Sequence, residues 1–189
     1  MCGRYSLDLN KSKTSFKKDT LDKFDKIFSF KNLDISPSSL SPVISFNNNE
    51  YVFDLFKWGL DFDWLPKGKV LFNVRSETVA DKSFSKDLLA RNRCLVPFNF
   101  YFEWQNIGKI KQKFKIFTSN DVSYFAGIYL KSTTDSQFSI LTKSSASNIE
   151  HIHQRNPIIV SNNKIRKWFS GDYKDVINSD SVELNFAAI

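Results

Sequence analysis

The stretch FNFYFEW, residues 98–104, carries the strongest structural signal in the chain, because large aromatic residues recur at every second position. Successive side chains of an extended strand point to opposite faces. One face would hold four aromatic residues and the other the three residues between them: Phe98, Phe100, Phe102 and Trp104, against Asn99, Tyr101 and Glu103. We expect the four aromatic residues to form a core face, which directs Glu103 away from that core, into solvent or into a cleft.

Further strand signals follow one another at short spacing along the chain. We predict strands over residues 3–9, 51–58, 69–75, 93–97, 99–105, 112–117, 123–130, 137–142 and 157–160. Helices are predicted over about 14–28 and 83–91, with short ones near 145–152 and 162–169, and SPSSLSP at 36–42 predicts a loop turned by Pro37 and Pro42. The pattern predicts an α+β fold, a single domain over residues 1–189 built mainly on antiparallel β-sheet with a few flanking helices.

The composition narrows the class of protein. The chain has 189 residues, which suits one domain with a substantial core. Its two cysteines do not make a disulfide framework, and no segment predicts a signal peptide or a membrane span. We therefore expect a cytoplasmic protein without membrane association. The net charge of +7 fits a polyanionic partner such as nucleic acid, and it equally fits a need for solubility.

The N-terminal stretch MCGRYSLDL places a cysteine directly after the initiator methionine. Methionine is usually removed when the second residue is small, and Cys2 would then carry a free α-amine (pKa about 8) next to its thiol (pKa about 8.5). No internal cysteine offers that pair of nucleophiles. The alternative is that Cys2 is simply a small residue at the start of an edge strand, and the stretch alone leaves both interpretations open.

A second polar pattern lies in FNVRSET, residues 72–78. Asn73, Arg75 and Glu77 would share one face of an extended segment. A neutral amide beside a guanidinium suits a site that holds a phosphate or an oxyanion. The same residues would also suit an ordinary hydrated strand face, because their spacing has little specificity.

Both histidines lie in EHIHQRNP, residues 150–157. Pro157 favours extended backbone at the preceding residue, so a helix is expected to end by Arg155, and a histidine there is commonly a helix cap. The two histidines and two cysteines lack the spacing of a zinc site, and we predict no metal. Cys94 in RCLVP is expected to be a buried strand residue and not a second nucleophile.

Taken in order along the chain, five segments resemble one known family. MCGRY, KWGL, FNVRSET, RCLVPFNFYFEW and HIHQRNP are together similar to the SOS-response-associated peptidase (SRAP) family, whose members crosslink themselves to abasic sites in single-stranded DNA. The ordered set spans Cys2 to about Phe169 and is far more specific than any one segment. The resemblance implies the barrel-like, mainly antiparallel fold of that family.

The resemblance also implies a chemistry for the N-terminus. The α-amine of Cys2 would condense with the aldehyde of a ring-opened abasic sugar, and the thiol would then close a thiazolidine ring, a fast intramolecular step. Glu103 would act as the general acid and base, with His153 as its partner. Asn73 would position the N-terminal amine or the sugar oxygen.

For the DNA itself, the resemblance implies that Arg4 and Arg75 clamp the flanking phosphates and that Trp64 stacks on a base. It implies a monomer that needs no cofactor and that shields abasic sites during the SOS response to DNA damage. Self-removal of Met1, a peptidase activity and a lyase-type reversal of the crosslink belong to the same expectation. The sequence does not identify protein partners.

Four positions depart from the family pattern. Asn99 and Phe100 stand where a small polar residue and a glycine usually precede the Tyr-x-Glu-Trp segment. Asn156 replaces a methionine in the His-x-Arg-Met-Pro segment, and the usual proline after WGL is replaced near Phe62. The departures affect the surroundings of the site, whereas the polar side chains that would carry the chemistry are all present.

Two other classes of protein compete with this interpretation. Class II glutamine amidotransferase domains also begin Met-Cys-Gly and use the N-terminal cysteine as a hydrolytic nucleophile. They usually continue with an apolar residue, whereas this chain has Arg4, and their glycine-rich and Asn-Gly segments are not found here. A non-enzymatic single-strand-binding module would use the aromatic residues and lysines to hold DNA without covalent chemistry.

Overall fold

The structure, a computed structural model, describes residues 2–9, 30–179 and 182–189. Its strands are β1 (Tyr5–Asp8), β2 (Lys31–Ile35), β3 (Leu40–Asn47), β4 (Glu50–Trp58), β5 (Asn73–Arg75), β6 (Arg93–Phe98), β7 (Phe100–Ile107), β8 (Ile110–Phe117), β9 (Ser123–Leu130), β10 (Gln137–Ser144), β11 (Arg155–Pro157), β12 (Ile159–Val160) and β13 (Asn185–Ala188). Its helices are α1 (Ser83–Arg91), α2 (Ile165–Phe169) and α3 (Tyr173–Asn178), with a 3₁₀ turn over Asn162–Lys164. The helix predicted over about 14–28 lies outside the described residues.

Two sheets organise these strands. The first has five strands in the order β13-β8-β7-β1-β2. The second has the order β11-β10-β4-β3-β6-β9-β12, with β5 paired to β10. Because β10 also pairs with β9, the second sheet curls back on itself in a barrel-like way without forming a regular barrel. The pairings are antiparallel except where β10 meets β4 and β5, so the mainly antiparallel α+β prediction is confirmed.

The predicted loop over residues 36–42 is wrong at its C-terminal end, because β3 already begins at Leu40. Pro42 therefore lies inside a strand, opposite Leu55 of β4. Strands β3 and β4 are joined through Asn48 and Asn49, which both adopt positive φ, as a tight hairpin turn requires. Of the strand predicted over 69–75, only the last three residues form a strand, β5.

The helices match the prediction in two of three places. Helix α1 has the predicted bounds, and the segment 162–169 forms the 3₁₀ turn followed by α2. The segment 145–152 forms successive turns instead of a helix, closed by short-range bonds such as Ile152 N–H to the carbonyl of Ile149. Strands β2, β3 and β13 and helix α3 were not predicted. Within the described ranges, no helix is long and apolar enough to cross a membrane.

The buried side chains form two hydrophobic clusters. The first contains residues of β1 and β7 from one sheet and of β6, β9 and β10 from the other, so it fills the space between the sheets. It includes Cys2, Tyr5 and Tyr101. The second packs α1, α2 and α3 onto the outer side of the larger sheet, around the fully buried Trp168. Cys94 is fully buried in the first cluster, as predicted.

The predicted core face of FNFYFEW is wrong in part. Tyr101 and Glu103 lie opposite Ile116 and Phe114 of β8, which are core residues, so the inner face of β7 is the one that carries the glutamate. Both side chains are buried. The outer face carries three aromatic rings, of which only Phe102 is buried. A lysine ammonium group lies over each ring: Lys115 over Phe100 at 4.2 Å, Lys113 over Phe102 at 3.8 Å, and Lys111 over Trp104 at 5.7 Å.

The error has a local cause at Asn99. Phe98 ends β6 and Phe100 begins β7, so the two-residue alternation does not continue from one strand to the next. The Asn99 side chain ties this corner together, because its Oδ1 accepts from the N–H of Asp8 and its Nδ2 donates to the carbonyl of Asp121 at 2.6 Å. Phe98 therefore packs in the core together with Tyr101, not with Phe100.

Candidate active site

The N-terminal residue of interest, Cys2, lies just before β1 and is fully buried. Asn73, the first residue of β5, donates a hydrogen bond from Nδ2 to the carbonyl of Cys2 at 2.7 Å. Strand β5 is held in place by its parallel pairing with β10, where Asn73 lies opposite Ile140. The two residues that the sequence singled out at positions 2 and 73 are therefore in direct contact.

Glu103 reaches the same place from β7 and is only 3% exposed, so the solvent-facing alternative is wrong. Burial raises the pKa of Glu103 to about 7, and the positive charge of the chain's amino terminus acts in the opposite direction. Burial also raises the pKa of the Cys2 thiol well above its usual value, and the charge of Glu103 is the second cause. The carboxyl group of Glu103 is therefore close enough to the Cys2 thiol for its negative charge to oppose ionisation of the thiol.

His153 lies in the turn before β11 and is partly buried. Its Nδ1 accepts a hydrogen bond from the backbone N–H of Arg155 at 3.0 Å, which fixes the orientation of the ring. Burial lowers the pKa of His153, and the charge of the amino terminus lowers it further. Both effects favour the neutral form of the ring.

An ion pair that the sequence did not predict borders this site. The Arg155 guanidinium binds both carboxylate oxygens of Glu77, at 3.0 and 2.8 Å, and donates to the carbonyl of Thr142 at 2.8 Å. The hydrogen bonds from Arg155 lower the pKa of Glu77, with a further contribution from Arg75. Arg75 itself is exposed at the end of β5.

Arg4 also lies at the surface, with 46% of its side chain exposed. Its guanidinium is 3.4 Å from the carboxylate of Asp34 on β2, so an acidic neighbour already compensates part of its charge. The backbone of Arg4 is held against β7, because its carbonyl accepts from the N–H of Phe102 at 2.9 Å. Arg4 therefore presents an exposed guanidinium that already has an acidic partner.

Trp64 is not part of the cluster around Cys2. It lies between β4 and β5 with 59% of its surface exposed, and it stacks on Phe62 with ring centroids 5.4 Å apart and planes within 13°. Phe84 of α1 packs against both rings. The exposed indole face therefore sits on a rigid aromatic base, which suits stacking on a nucleobase.

Two departures from the family pattern have structural roles here. Asn156 is 2% exposed, and its side chain donates to the carbonyl of Pro157 at 2.7 Å and accepts from the N–H of Ala146 at 3.2 Å. It therefore ties β11 to the turns that carry His153. Phe100 packs edge-on against Phe102, at 5.2 Å between centroids, on the outer face of β7.

Sequence reasoning missed Arg155, Asp34 and Tyr101 as residues of this region. The partners of Arg155 come from β10 and from the turn after β5, and Asp34 approaches Arg4 only because β1 pairs with β2. No local spacing reports such contacts. Tyr101 could have been found, because it shares a strand face with Glu103.

The site has the chemistry of a nucleophile beside a proton-transfer group. A thiol, a carboxyl group whose pKa is near neutrality and an amide come together at Cys2, and an imidazole lies before β11. A thiol beside a group that can transfer a proton is typical of covalent catalysis. Across residues 2–9, 30–179 and 182–189, no group of three or more His, Cys, Asp or Glu side chains is placed to hold a metal ion. The fold and the site thus define a mainly antiparallel β protein with a buried thiol at its second residue and a buried carboxyl group near that thiol.

Comparisons with known proteins give the family. The family model for SOS response associated peptidase (SRAP) matches residues 1–185, and the chain belongs to that family. The abasic site processing protein YoqW of Bacillus subtilis is 28% identical over 196 residues, which cover 90% of this chain and 80% of that protein. The abasic site processing protein YoaM of the same organism is 27% identical over 188 residues, which cover 90% of this chain and 79% of that protein.

A crystal structure of a protein from Bacteroides thetaiotaomicron has the same fold. The two chains superpose with a TM-score of 0.78 at 22% sequence identity, covering 100% of this chain and 92% of that one. At that identity the likeness concerns the fold alone. It supports the two-sheet architecture that brings Cys2, Asn73 and Glu103 together.

Proposed function

We propose that this protein forms a covalent thiazolidine crosslink between Cys2 and the ring-opened abasic deoxyribose of single-stranded DNA, and that the crosslink shields the lesion during the DNA damage response. The hydrogen bond from Asn73 to Cys2, beside the buried Glu103, is the observation that carries the proposal. The names of YoqW and YoaM, both abasic site processing proteins, support the same substrate.

The reaction consists of two additions and one dehydration. The α-amine of Cys2 attacks the sugar aldehyde, and loss of one water gives an imine. The sulfur then bonds to the imine carbon, the π electrons of the C=N bond move to nitrogen, and the nitrogen takes up the proton that the thiol released. The second step is intramolecular, where effective concentrations can reach about 10⁵ M or more, so the ring closes readily and the product persists.

Proton transfer falls to Glu103. A carboxyl group whose pKa is about 7 is present in both protonation states near neutral pH, so it can donate a proton to the leaving hydroxyl and accept one from the amine. His153, neutral and oriented by Arg155, acts as its partner in opening the sugar ring. The same groups would catalyse the reverse, lyase-type reaction.

The DNA contacts follow from the exposed residues around the site. Arg4 and Arg75 bind the phosphates on either side of the lesion, and Trp64 stacks on a neighbouring base. The net charge of +7 favours such binding at low salt. Because these contacts involve phosphates and a ring face, the proposal includes binding with little sequence preference.

The chemistry requires that Met1 be removed, since only then is the amine of Cys2 free. Hydrolysis of the first peptide bond, by the protein itself or by a cellular aminopeptidase, gives the mature N-terminus. A self-removal activity would account for the peptidase in the family's name. Intact-mass spectrometry of the purified protein reports whether the chain starts at Cys2.

The deciding experiment mixes the protein that starts at Cys2 with an oligonucleotide carrying one abasic site and measures intact mass after denaturation. We expect an adduct with the mass of protein plus DNA less one water. Cys2→Ala should give no persistent adduct, although borohydride would trap an imine at its remaining amine. Cys94→Ala is the matched control, because Cys94 is equally buried and should leave the adduct unchanged.

Three other outcomes would contradict the proposal. An undiminished adduct from Cys2→Ala would assign the chemistry to another nucleophile. Glutamine hydrolysis without an adduct would indicate an amidotransferase. Binding that salt reverses, without any adduct, would indicate a non-covalent single-strand-binding module.

A further inference from the structure

The hydroxyl of Tyr101 is a feature of this site that the proposed reaction does not use. Tyr101 precedes Glu103 by two residues on β7, so the two side chains share the inner face of the strand. Tyr101 is fully buried, and its Oη has no hydrogen-bond partner within the part of the chain that the structure describes. Buried hydroxyls are nearly always hydrogen-bonded, so an unpartnered phenol at this position is unusual.

Backbone contacts hold the sulfur of Cys2 against the same strand. Its Sγ lies 3.8 Å from the carbonyl oxygen of Arg4, and that oxygen accepts from the N–H of Phe102, the residue after Tyr101, at 2.9 Å. On the neighbouring strand, Tyr5 is paired directly with Tyr101. Cys2 and Tyr101 are also members of the same buried cluster between the sheets.

The charge of Cys2 acts on the phenol of Tyr101. Burial is the main cause that raises the pKa of Tyr101 well above its usual value, followed by the charge of Cys2 and then by that of Glu103. The phenol therefore stays protonated at physiological pH and is available as a donor. The thiol of Cys2 needs such a donor, because burial and Glu103 both oppose its ionisation.

We propose that Tyr101 is a positioning residue for ring closure: its O–H donates a hydrogen bond to the sulfur of Cys2 as the thiolate forms. The proposal rests on the proposed function, of which it describes the second step. Tyr101 keeps its own proton throughout, while the sulfur bonds to the imine carbon and the nitrogen takes up the proton released by the thiol.

An unpaired donor is suited to this step. A hydrogen bond that is absent in the resting thiol and present when the sulfur becomes charged stabilises the reacting state selectively, which accelerates the step. A phenol that was already bonded to another acceptor would first have to break that bond. The free-energy cost of burying the unpartnered Tyr101 hydroxyl in the resting protein is thus removed when the hydroxyl binds the charged sulfur.

Tyr101→Phe tests this inference, because it removes the hydroxyl and keeps the ring. The matched control is Tyr5→Phe: Tyr5 is also fully buried, but its Oη donates to Ser41 Oγ at 2.7 Å. Loss of that bond should lower the melting temperature of Tyr5→Phe by about 2–4 °C. Tyr101→Phe loses an unpartnered group, so its melting temperature should be unchanged or higher.

The kinetic experiment separates the two steps in single turnovers with abasic DNA. Borohydride trapping measures the imine, and the adduct that persists without borohydride measures ring closure. For Tyr101→Phe we expect an unchanged imine step and ring closure about tenfold slower at neutral pH, restored by raising the pH about one unit. Tyr5→Phe should match the wild type. Equal ring closure in Tyr101→Phe, or a loss that is the same at every pH, would overturn the inference.

A titration without DNA tests Tyr101 independently of the proposed function. The ¹³Cβ signal of Cys2 in cysteine-labelled protein, identified by its loss in Cys2→Ser, reports the thiol pKa. We expect this pKa to be about one unit higher in Tyr101→Phe than in the wild type, and unchanged in Tyr5→Phe. Equal titration of Cys2 in Tyr101→Phe and wild type would contradict the role of Tyr101, whereas a wild type that forms no adduct would contradict the proposed function alone.

Discussion

Asn73 donates a 2.7 Å hydrogen bond to the carbonyl of Cys2, which joins two residues 71 positions apart in the chain. The bond holds Cys2 through its backbone carbonyl, so it does not engage the thiol or, in a chain without Met1, the amine. The other end of the same amide, Oδ1, is buried and accepts no hydrogen bond from the described residues. Asn73 therefore offers an acceptor to the amine or to a sugar hydroxyl.

Replacing Asn73 by alanine removes the hydrogen bond to Cys2 and the unpartnered acceptor Oδ1. We expect single-turnover adduct formation at least about tenfold slower, because the amine is no longer positioned. Asn99→Ala is the control, since the Asn99 side chain also bonds backbone groups but lies at the corner between β6 and β7. Each variant should lose about 1 kcal/mol of unfolding free energy, measured by urea denaturation. An Asn99→Ala rate as low as that of Asn73→Ala would assign the effect to stability.

Glu103→Gln keeps the shape of the side chain and cannot exchange a proton. We expect adduct formation and its reversal to slow by about 10²-fold, a typical loss for one general acid–base group. The wild-type rate should change near pH 7, where Glu103 titrates, and this inflection should be absent from the variant. Crosslinking kinetics at saturating protein across pH 5–9 measure both effects. Wild-type rates with an unchanged pH profile would remove Glu103 from the mechanism.

The same substitution should change how stability depends on pH. The pKa of Glu103 is about 7 in the folded protein and about 4.3 in an unfolded chain, so the folded state binds more protons between these values. The carboxyl group therefore lowers stability as the pH rises from about 4 to 7. Relative to the wild type, Glu103→Gln should gain melting temperature over that range and hold the gain above it. Glu150→Gln, the same change at an exposed position, should show no such gain.

Asp34→Asn should strengthen DNA binding, because it frees Arg4 from its ion pair. The exposed pair contributes little to folding, so the melting temperature should hardly change. Binding to a single-stranded oligonucleotide, measured by fluorescence anisotropy at several salt concentrations, should tighten severalfold at low salt. Asp175→Asn is the control, since it frees Lys167 from an exposed pair of the same 3.4 Å length between α2 and α3. Equal tightening of DNA binding in both variants would show that the change in net charge, and not the release of Arg4, causes the effect.

Trp64→Ala should make the free energy of DNA binding less favourable by about 1–3 kcal/mol, the contribution of stacking on one base. The crosslinking rate at saturating DNA should be nearly unchanged, because Trp64 lies outside the Cys2 cluster. Phe186→Ala is the control, as it removes an aromatic ring that is also exposed but lies on the edge strand β13. If Trp64→Phe restored none of the lost affinity, a stacking role would be contradicted.

Most strands could be predicted from the sequence because alternation is a local property, and the hypothesis of an aminothiol at Cys2 is likewise local. Alternation of side chains marks β6 to β10 within a few residues, since the period of two follows from the extended backbone itself. The aminothiol needs only Cys2 at the second position. The ordered segments from MCGRY to HIHQRNP identified the family, which the match over residues 1–185 confirmed.

Which face of each strand is buried depended on contacts that the sequence does not record. Alternation assigns Tyr101 and Glu103 to one face, but only the pairing of β7 with β8 and the second sheet beyond it make that face the inner one. The electrostatic environment of Glu103 follows from this burial, because removing a carboxylate from water raises its pKa. The partners Arg155 with Glu77 and Arg4 with Asp34 come from segments that meet only when strands pair, so local spacing gives no signal of them. The sequence thus determined which strands form and which side chains share a strand face. The tertiary structure decided which of those side chains are buried, how their pKa values shift and which partners they contact.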